Sequence, residues 1–407
     1  MALALTGVHV WDGFAAEPSR SVCSVRIEGR RIAAIGSDPD LVRDARVIPL
    51  EGATAIPGLI DAHVHLTLDP SLRSPAEQLA VPAERVAEKA CERARRMLEA
   101  GITTARDLGG GQWIELALRG RIERGEVPGP RILCAGQPVT SPGGHCHFWG
   151  GEARGEAGVE GVVARQVARG VDWIKVMATG GVMTRGSHTL RPQFGDRELR
   201  RAVECAAAAG RGVAAHCHGT AGIDRAAAAG VRTVEHCSFA GREGFGSDFD
   251  PAVLDRLAGR ARDGSLWVSP TVNAGWARHV RSDAGPTAFA RRMERVLRGL
   301  DAAGVPLVAS TDAGIPGVEH HRLADALPVL AELAGWTPVE CLRSATSRSA
   351  RALALEGETG ALRPGLAADI VVCDGDPLRD LAALARPRLV VARGEVGAHL
   401  GDERALA

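Results

Sequence analysis

One unit recurs through the middle of this chain. A helical stretch closes on a small residue and Gly, and a run rich in Val, Ile and Ala follows. The instances are LEAGITTARD, VARGVDWIKVM, AAAGRGVAAH, AAAGVRTVEH and LDAAGVPLVAST. Gly supplies the left-handed residue that ends a helix. A run that is apolar on both faces fits a strand buried in a parallel sheet. The stretches before it are amphipathic. In ERVAEKACERARRMLEA the stripe Val86, Ala90, Ala94, Met97, Leu98 returns every three to four residues. About eight such strands are expected, centred near Ile60, Thr104, Leu133, Ile174, Ala214, Val234, Val268 and Val308. Eight βα units close a (β/α)8 barrel, a TIM barrel of the α/β class. An open doubly wound sheet is the alternative. It wants a Gly-rich phosphate loop after its first strand, and GLIDAHVHL offers none.

The two ends differ from the middle. Residues 1–57 hold short apolar or alternating runs broken by Gly and Pro, which predict strands. Residues 358–407 open with a similar pattern, ETGALRPGLAADIVVCDGDP followed by RLVVARGEV. Both ends together predict one small composite β domain, with 58–357 as the barrel.

Polar residues fall where such a barrel keeps its chemistry, at the C-terminal ends of the strands. The first strand ends Asp61-Ala62-His63-Val64-His65 and the fourth Trp173-Ile174-Lys175-Val176. The fifth ends Ala215-His216-Cys217-His218, the sixth Val234-Glu235-His236-Cys237, and the eighth Ala309-Ser310-Thr311-Asp312. Residues i and i+2 of a strand share a face, so His63 and His65 can converge on one metal. Each residue alone has an ordinary reading. A lone His is usually a hydrogen-bonded residue, Lys175 could be a salt-bridge partner, and Asp312 could cap a helix. Five strands offering ligand-type residues at equivalent positions point together to a metal site. His218 shares the face of His216 and is left open, as is His147. Cys217 and Cys237 alternate with the histidines and are expected to pack in the core.

Composition sharpens one residue. Only Lys89 and Lys175 are Lys among 49 basic residues. Lys175 lies in an apolar run where an ammonium is costly. Arg never gives a neutral amine, so a Lys kept here suggests amine chemistry. The 49 basic residues balance 49 acidic ones. No basic excess invites nucleic acid. No apolar run reaches the roughly 18 residues of a membrane span. The first twenty residues do not read as a secretory signal, so a cytoplasmic location is expected. Nine scattered cysteines without a CxxC predict no disulfide framework.

These motifs resemble the amidohydrolase superfamily, in particular its imidazolonepropionase-like and Xaa-Pro-dipeptidase-like branch. The resemblance rests on PGLIDAHVHL, GITTARDLGGG, SPGGHCHFWGG, DWIKVMATGG, AAHCHG, TVEHCSF, ASTDAG and GALRPGLAADIVVCDGDPL, and it spans nearly the whole chain. It implies a barrel carrying a small β-sandwich, and two divalent ions, usually zinc. His63, His65 and Asp312 would hold one ion, and His216 and His236 the other. Lys175, carboxylated by CO2, would bridge them as a carbamate. Mononuclear imidazolonepropionases and related deaminases lack that lysine, which counts against their activities here. The implied reaction is hydrolysis of a peptide-like or N-acyl amino acid C–N bond by a metal-bridging hydroxide. Asp312 would shuttle the proton, and no Ser or Cys nucleophile is needed. Urea, carbamate, lactone or phosphotriester hydrolysis at the same site is the alternative, with a non-catalytic assembly protein behind it. The partner is then a small-molecule substrate, and a homo-oligomer is left open.

Loops carry the substrate candidates. His145, in the family's GGH, could meet a substrate carboxylate or the tetrahedral oxyanion, or could order its own loop. Arg185 and His188 are candidates for gripping a carboxylate, with a plain surface role as the alternative. Phe239 stands where some relatives have Tyr. With no Tyr in the chain, no phenolic substrate contact can be carried over.

Overall fold

The computed structural model describes residues 2–19 and 21–399. Residues 400–407, assigned above to the end domain, lie outside the described residues, as do Met1 and Arg20.

Apolar runs without alternation become parallel strands buried on both faces. Leu59–Val64, Ile102–Asp107 and Arg131–Cys134 pair in that order as a three-stranded parallel sheet. Trp173–Met177, Gly212–Gly219, Thr233–Ala240 and Trp267–Ser269 form a four-stranded parallel sheet. Every residue of Leu59–Val64, Ile102–Asp107, Trp173–Met177 and Thr233–Ala240 is buried. Isolated bridges join segments outside these strands to the sheets. Val139 pairs with Val176, Val268 with Leu307, and Val64 with Ala313. The architecture is a TIM-barrel-like α/β domain.

Helices cover the sheets. Ala83–Glu99 buries Ala90, Ala94, Met97 and Leu98, while Val86 is half-buried. Burying a side chain like Met97 or Leu98 is worth about 1.5–3 kcal/mol. Gly101 then takes a φ of 85° and turns the chain into the next strand, as Gly230 does at 98° after Thr220–Ala229. A side chain at either φ would be strained.

The run near Val308 departs from the expected eighth strand. Among the described residues it makes only the isolated bridges at Leu307 and Ala313. Two local features break its ladder. The carbonyls of Ser344 and Ala345 accept from Ala309 and Ile60, so a helix end wedges between neighbouring strands. Asp312 then takes a left-handed φ of 59°. The segment still bonds to its neighbours, Val308 N to Val268 O and Ala62 N to Ala309 O.

Strands from both ends share one eight-stranded sheet. Its order runs Glu395–His399, Pro387–Ala392, Ile370–Cys373, Thr54–Pro57, Ala2–Val10, Cys23–Glu28, Arg31–Gly36, with Ala45–Pro49 also on Ala2–Val10. Ile56 pairs antiparallel with Val371, more than three hundred residues away. Leu5, Val25, Ile27, Leu50, Ile370 and Leu389 belong to a core of their own. Alternating positions along these strands supply that core, as the period-2 pattern requires.

Candidate metal centre

The chain places His63, His65, Lys175, His216, His236 and Asp312 around one cleft. They come from the ends of several strands because parallel register brings equivalent positions level. His216 lies opposite Glu235 and Met177, and Cys217 opposite His236. His63 and His65 face the same way with ring centroids 5.3 Å apart.

Hydrogen bonds decide which ring nitrogens are free. His63 Nδ1 donates to Glu235 Oε2 at 2.9 Å, and His65 Nδ1 to the Gly109 carbonyl at 2.8 Å. A neutral imidazole that donates from one nitrogen presents a bare lone pair on the other. The two Nε2 atoms therefore aim lone pairs at one another at 3.3 Å. Asp312 Oδ1 stands 3.3 Å from His63 Nε2 and 3.4 Å from His65 Nε2. Three acceptors so placed repel one another unless a cation lies among them. Two ligands 2.0–2.1 Å from one tetrahedral ion stand about 3.3 Å apart, so the spacing fits a divalent metal.

A second group adjoins the first. His216 Nε2 donates to the Gly180 carbonyl at 3.2 Å, which leaves Nδ1 as an acceptor, 2.8 Å from His236 Nε2. His236 Nδ1 bonds Thr271 Oγ1 at 2.9 Å. Candidate ligand atoms of His216, His218 and His236 lie within 4.8 Å of one another, as do those of His63, His236 and Asp312. His236 thus belongs to both groups. His218, left open by sequence, bonds Ser238 Oγ through Nδ1 and stacks between His236 and Phe245.

Two of these residues hold unusual backbone. His236 has a φ of 64° and Asp312 of 59°. Left-handed non-Gly residues cost about 1–3 kcal/mol and gather at functional sites. Both are held by neighbours. Asp312 N, for instance, donates to the His63 carbonyl at 2.9 Å.

Burial sets the charge states. It lowers His63 to about 4, with Lys175 adding to the effect, and it lowers His216 and His236 well below the usual range. These rings are neutral ligands at neutral pH. Burial would lift the Asp312 carboxyl, but His63, His65 and Lys175 outweigh it and hold it ionised. Lys175 is 1% exposed, with Nζ 3.5 Å from His63 Nε2. Burial lowers its pKa and so favours the free amine.

Sequence reasoning missed the support beneath the ligands. Glu235 bonds His63 with one oxygen and Arg106 Nη2 with the other, at 2.8 Å. Arg106 also donates to the Ala62 carbonyl and Thr233 Oγ1, and both partners are fully buried. Burial opposes ionisation of Glu235, but Arg106 and His63 hold it low. A buried Glu beside a His on one strand was the available signal. Glu235→Gln is expected to weaken metal binding roughly 10–100-fold, because it loosens the tautomer and aim of His63. Chelator-competition titration measures this. Unchanged affinity would remove Glu235 from that role.

The loop candidates divide. His145 lines the cleft, and burial and then Lys175 lower it to about 4. Among the described residues its buried Nδ1 has no partner. Gly181 packs against the ring so closely that a Cβ there would collide with it. Arg185 and His188 are exposed and do not line the cleft. The backbone of His188 packs over Gly180, where a Cβ would collide with it. His147 bonds the Gly144 carbonyl in its own turn and stays outside. Cys217, Cys237 and Phe239 are buried in the main core.

The amidohydrolase family model matches residues 54–397. The ochratoxinase of Aspergillus niger is 30% identical over 92% of this chain and 82% of its own length. The imidazolonepropionase of Chloroflexus aggregans is 23% identical over 88% of this chain and 85% of its own. The crystal structure of a Xaa-Pro dipeptidase with bound methionine superposes with a TM-score of 0.83 at 27% identity, covering 97% of this chain and 99% of that one. With its matched model spanning the histidine strands and Asp312, this chain belongs to the amidohydrolase family.

Proposed function

We propose that this protein is a binuclear metal-dependent hydrolase that cleaves an amide or related C–N bond of a small molecule. The observation that carries this reading is the meeting of bare imidazole nitrogens, the Asp312 carboxylate and the Lys175 amine in one buried hollow. His63, His65 and Asp312 would hold one ion, and His216 and His236 the other, with Lys175 between them as a carbamate. Divalent ions held there would supply an acidified water and a polarised carbonyl.

The chain's own residues do the rest. Asp312 is ionised and 14% exposed at its side chain, so it can take a proton from water and pass it to the leaving nitrogen. Neutral His145 carries one N–H and an unpartnered Nδ1, so it can donate to an oxygen that gains negative charge. Glu235 and Arg106 fix the aim of His63. No side-chain nucleophile is required. The two parallel sheets and the 307–313 segment form one closed ring in this reading. The described strands within residues 1–57 and 358–399 would form the accompanying β-sandwich domain.

Protein purified without chelator is expected to carry about two divalent ions per chain by elemental analysis, zinc foremost. A single ion that persists after metal supplementation would replace the binuclear reading with a mononuclear one.

A further inference from the structure

The cleft beyond the ligands is walled by apolar residues from separate loops. Trp149 comes from the turn His147–Trp149, Met183 from the loop after Trp173–Met177, and Phe245 from the loop after Thr233–Ala240. Trp276 comes from Ala274–Trp276 and Ile315 from the loop after Asp312. Val182 is at the mouth and is 78% exposed, an apolar side chain left in solvent.

These walls are fixed from behind. Trp149 packs on His65 and Phe148 with ring centroids 5.4 Å away in each case. Phe245 lies parallel to His218 at 4.7 Å and 6°. Trp276 meets Phe289 edge-on at 4.8 Å. The aromatic surface is therefore preformed.

Charge is scarce in the same space. Among the described residues that line the cleft, Lys175 is the sole Lys or Arg. It lies at the floor beside His63, where the proposed function gives it to the metals. The wall histidines His145 and His218 stand against His216 and His236, with ring centroids 4.7 and 4.5 Å away. Asn273 lines the cleft beside Ser238 and Thr271, whose hydroxyls bond His218 and His236. Its Oδ1 accepts from Gly275 N at 3.1 Å, which leaves its amide N–H groups for a ligand. A carboxylate set against these walls would lose water without gaining a cation.

Resting on the proposed amide hydrolysis, we infer that the substrate is uncharged away from the scissile bond. It presents an aromatic or branched apolar group to Trp149, Phe245 and Trp276, and its remaining polar atom meets Asn273. A free carboxylate, as in a dipeptide or N-acyl amino acid, is selected against.

Two amides that differ only in a carboxylate test this: N-benzoylphenylalanine and N-benzoylphenethylamine. The neutral compound is expected to have a kcat/KM roughly 10–100-fold higher, the range a shaped apolar pocket can give. Phe245→Ala is expected to shrink that ratio by raising KM for the neutral compound. Arg185→Ala is expected to leave the ratio as it was. Equal or better turnover of the carboxylate compound overturns the inference, most clearly if Arg185→Ala then removes it. If neither amide is cleaved by metal-replete protein, amide hydrolysis fails as the reaction. The pair then serve as ligands, and their dissociation constants by equilibrium dialysis read the cleft directly. Tighter binding of the neutral compound, lost in Phe245→Ala, sustains the inference, and tighter binding of the carboxylate ends it.

Discussion

Lys175→Arg protein is expected to fold, to bind fewer than two divalent ions per chain and to show no measurable hydrolysis. The substitution keeps a cation, so a residue serving only as a cation would tolerate it. The proposed role needs a nucleophilic amine. Its nitrogen bonds to the carbon of CO2, one N–H proton leaves, and a carboxylate results in place of a positive charge. Guanidinium does not deprotonate and cannot follow that path. It would also set a fixed positive charge between two divalent ions in a site 1% exposed, where water screens little. Lys175→Ala should lose activity for a different reason, since it leaves space where the bridge stood. Acetate or propionate can enter that space, and partial recovery of metal content and rate is expected. Elemental analysis and rate measurements on both variants, with and without carboxylate, separate the cases. A Lys175→Arg protein with two ions and normal turnover would sink the carbamate assignment.

Asp312→Asn is expected to keep the fold and at least one ion while losing roughly 10²–10⁴-fold in rate, the usual contribution of a positioned acid–base group. The amide retains one oxygen near His63 and His65. It also suits the left-handed φ of 59°, which Asn tolerates well. Backbone strain therefore does not confuse the result. What Asn lacks is a proton site. Rates measured across pH on metal-loaded protein decide the matter. A near-normal rate would move the proton shuttle to another group, with His145 as the next candidate.

Much of this site is visible in the sequence because it is written locally. His63 and His65 need only the strand period, and His216, His236, Lys175 and Asp312 each follow a run of buried-strand residues. Arg106 and Glu235 could not be joined that way. They sit on strands of different sheets, and nothing in either segment says that the side chains meet. The eighth strand failed for a related reason. The carbonyls that interrupt it belong to residues 344 and 345, more than thirty positions later. Loop direction was equally hidden. Arg185 and Met183 are two residues apart, yet one is in solvent and the other lines the cleft, and no local pattern in the segment separates them.

The pairing of Ile56 with Val371 also bears on how the molecule is made. A ribosome releases the N-terminal strands first, and Thr54–Pro57 then waits for a neighbour that emerges about three hundred residues later. At about 5–20 residues per second that delay is on the order of 15–60 seconds. During it the strand edge and the apolar face around Leu5 and Val25 lack their final cover. Unpaired edges of this kind draw other chains into aggregates. Yield in a cell is thus governed by the order of synthesis as well as by final stability, and faster elongation or chaperone supply should raise it without any change of sequence.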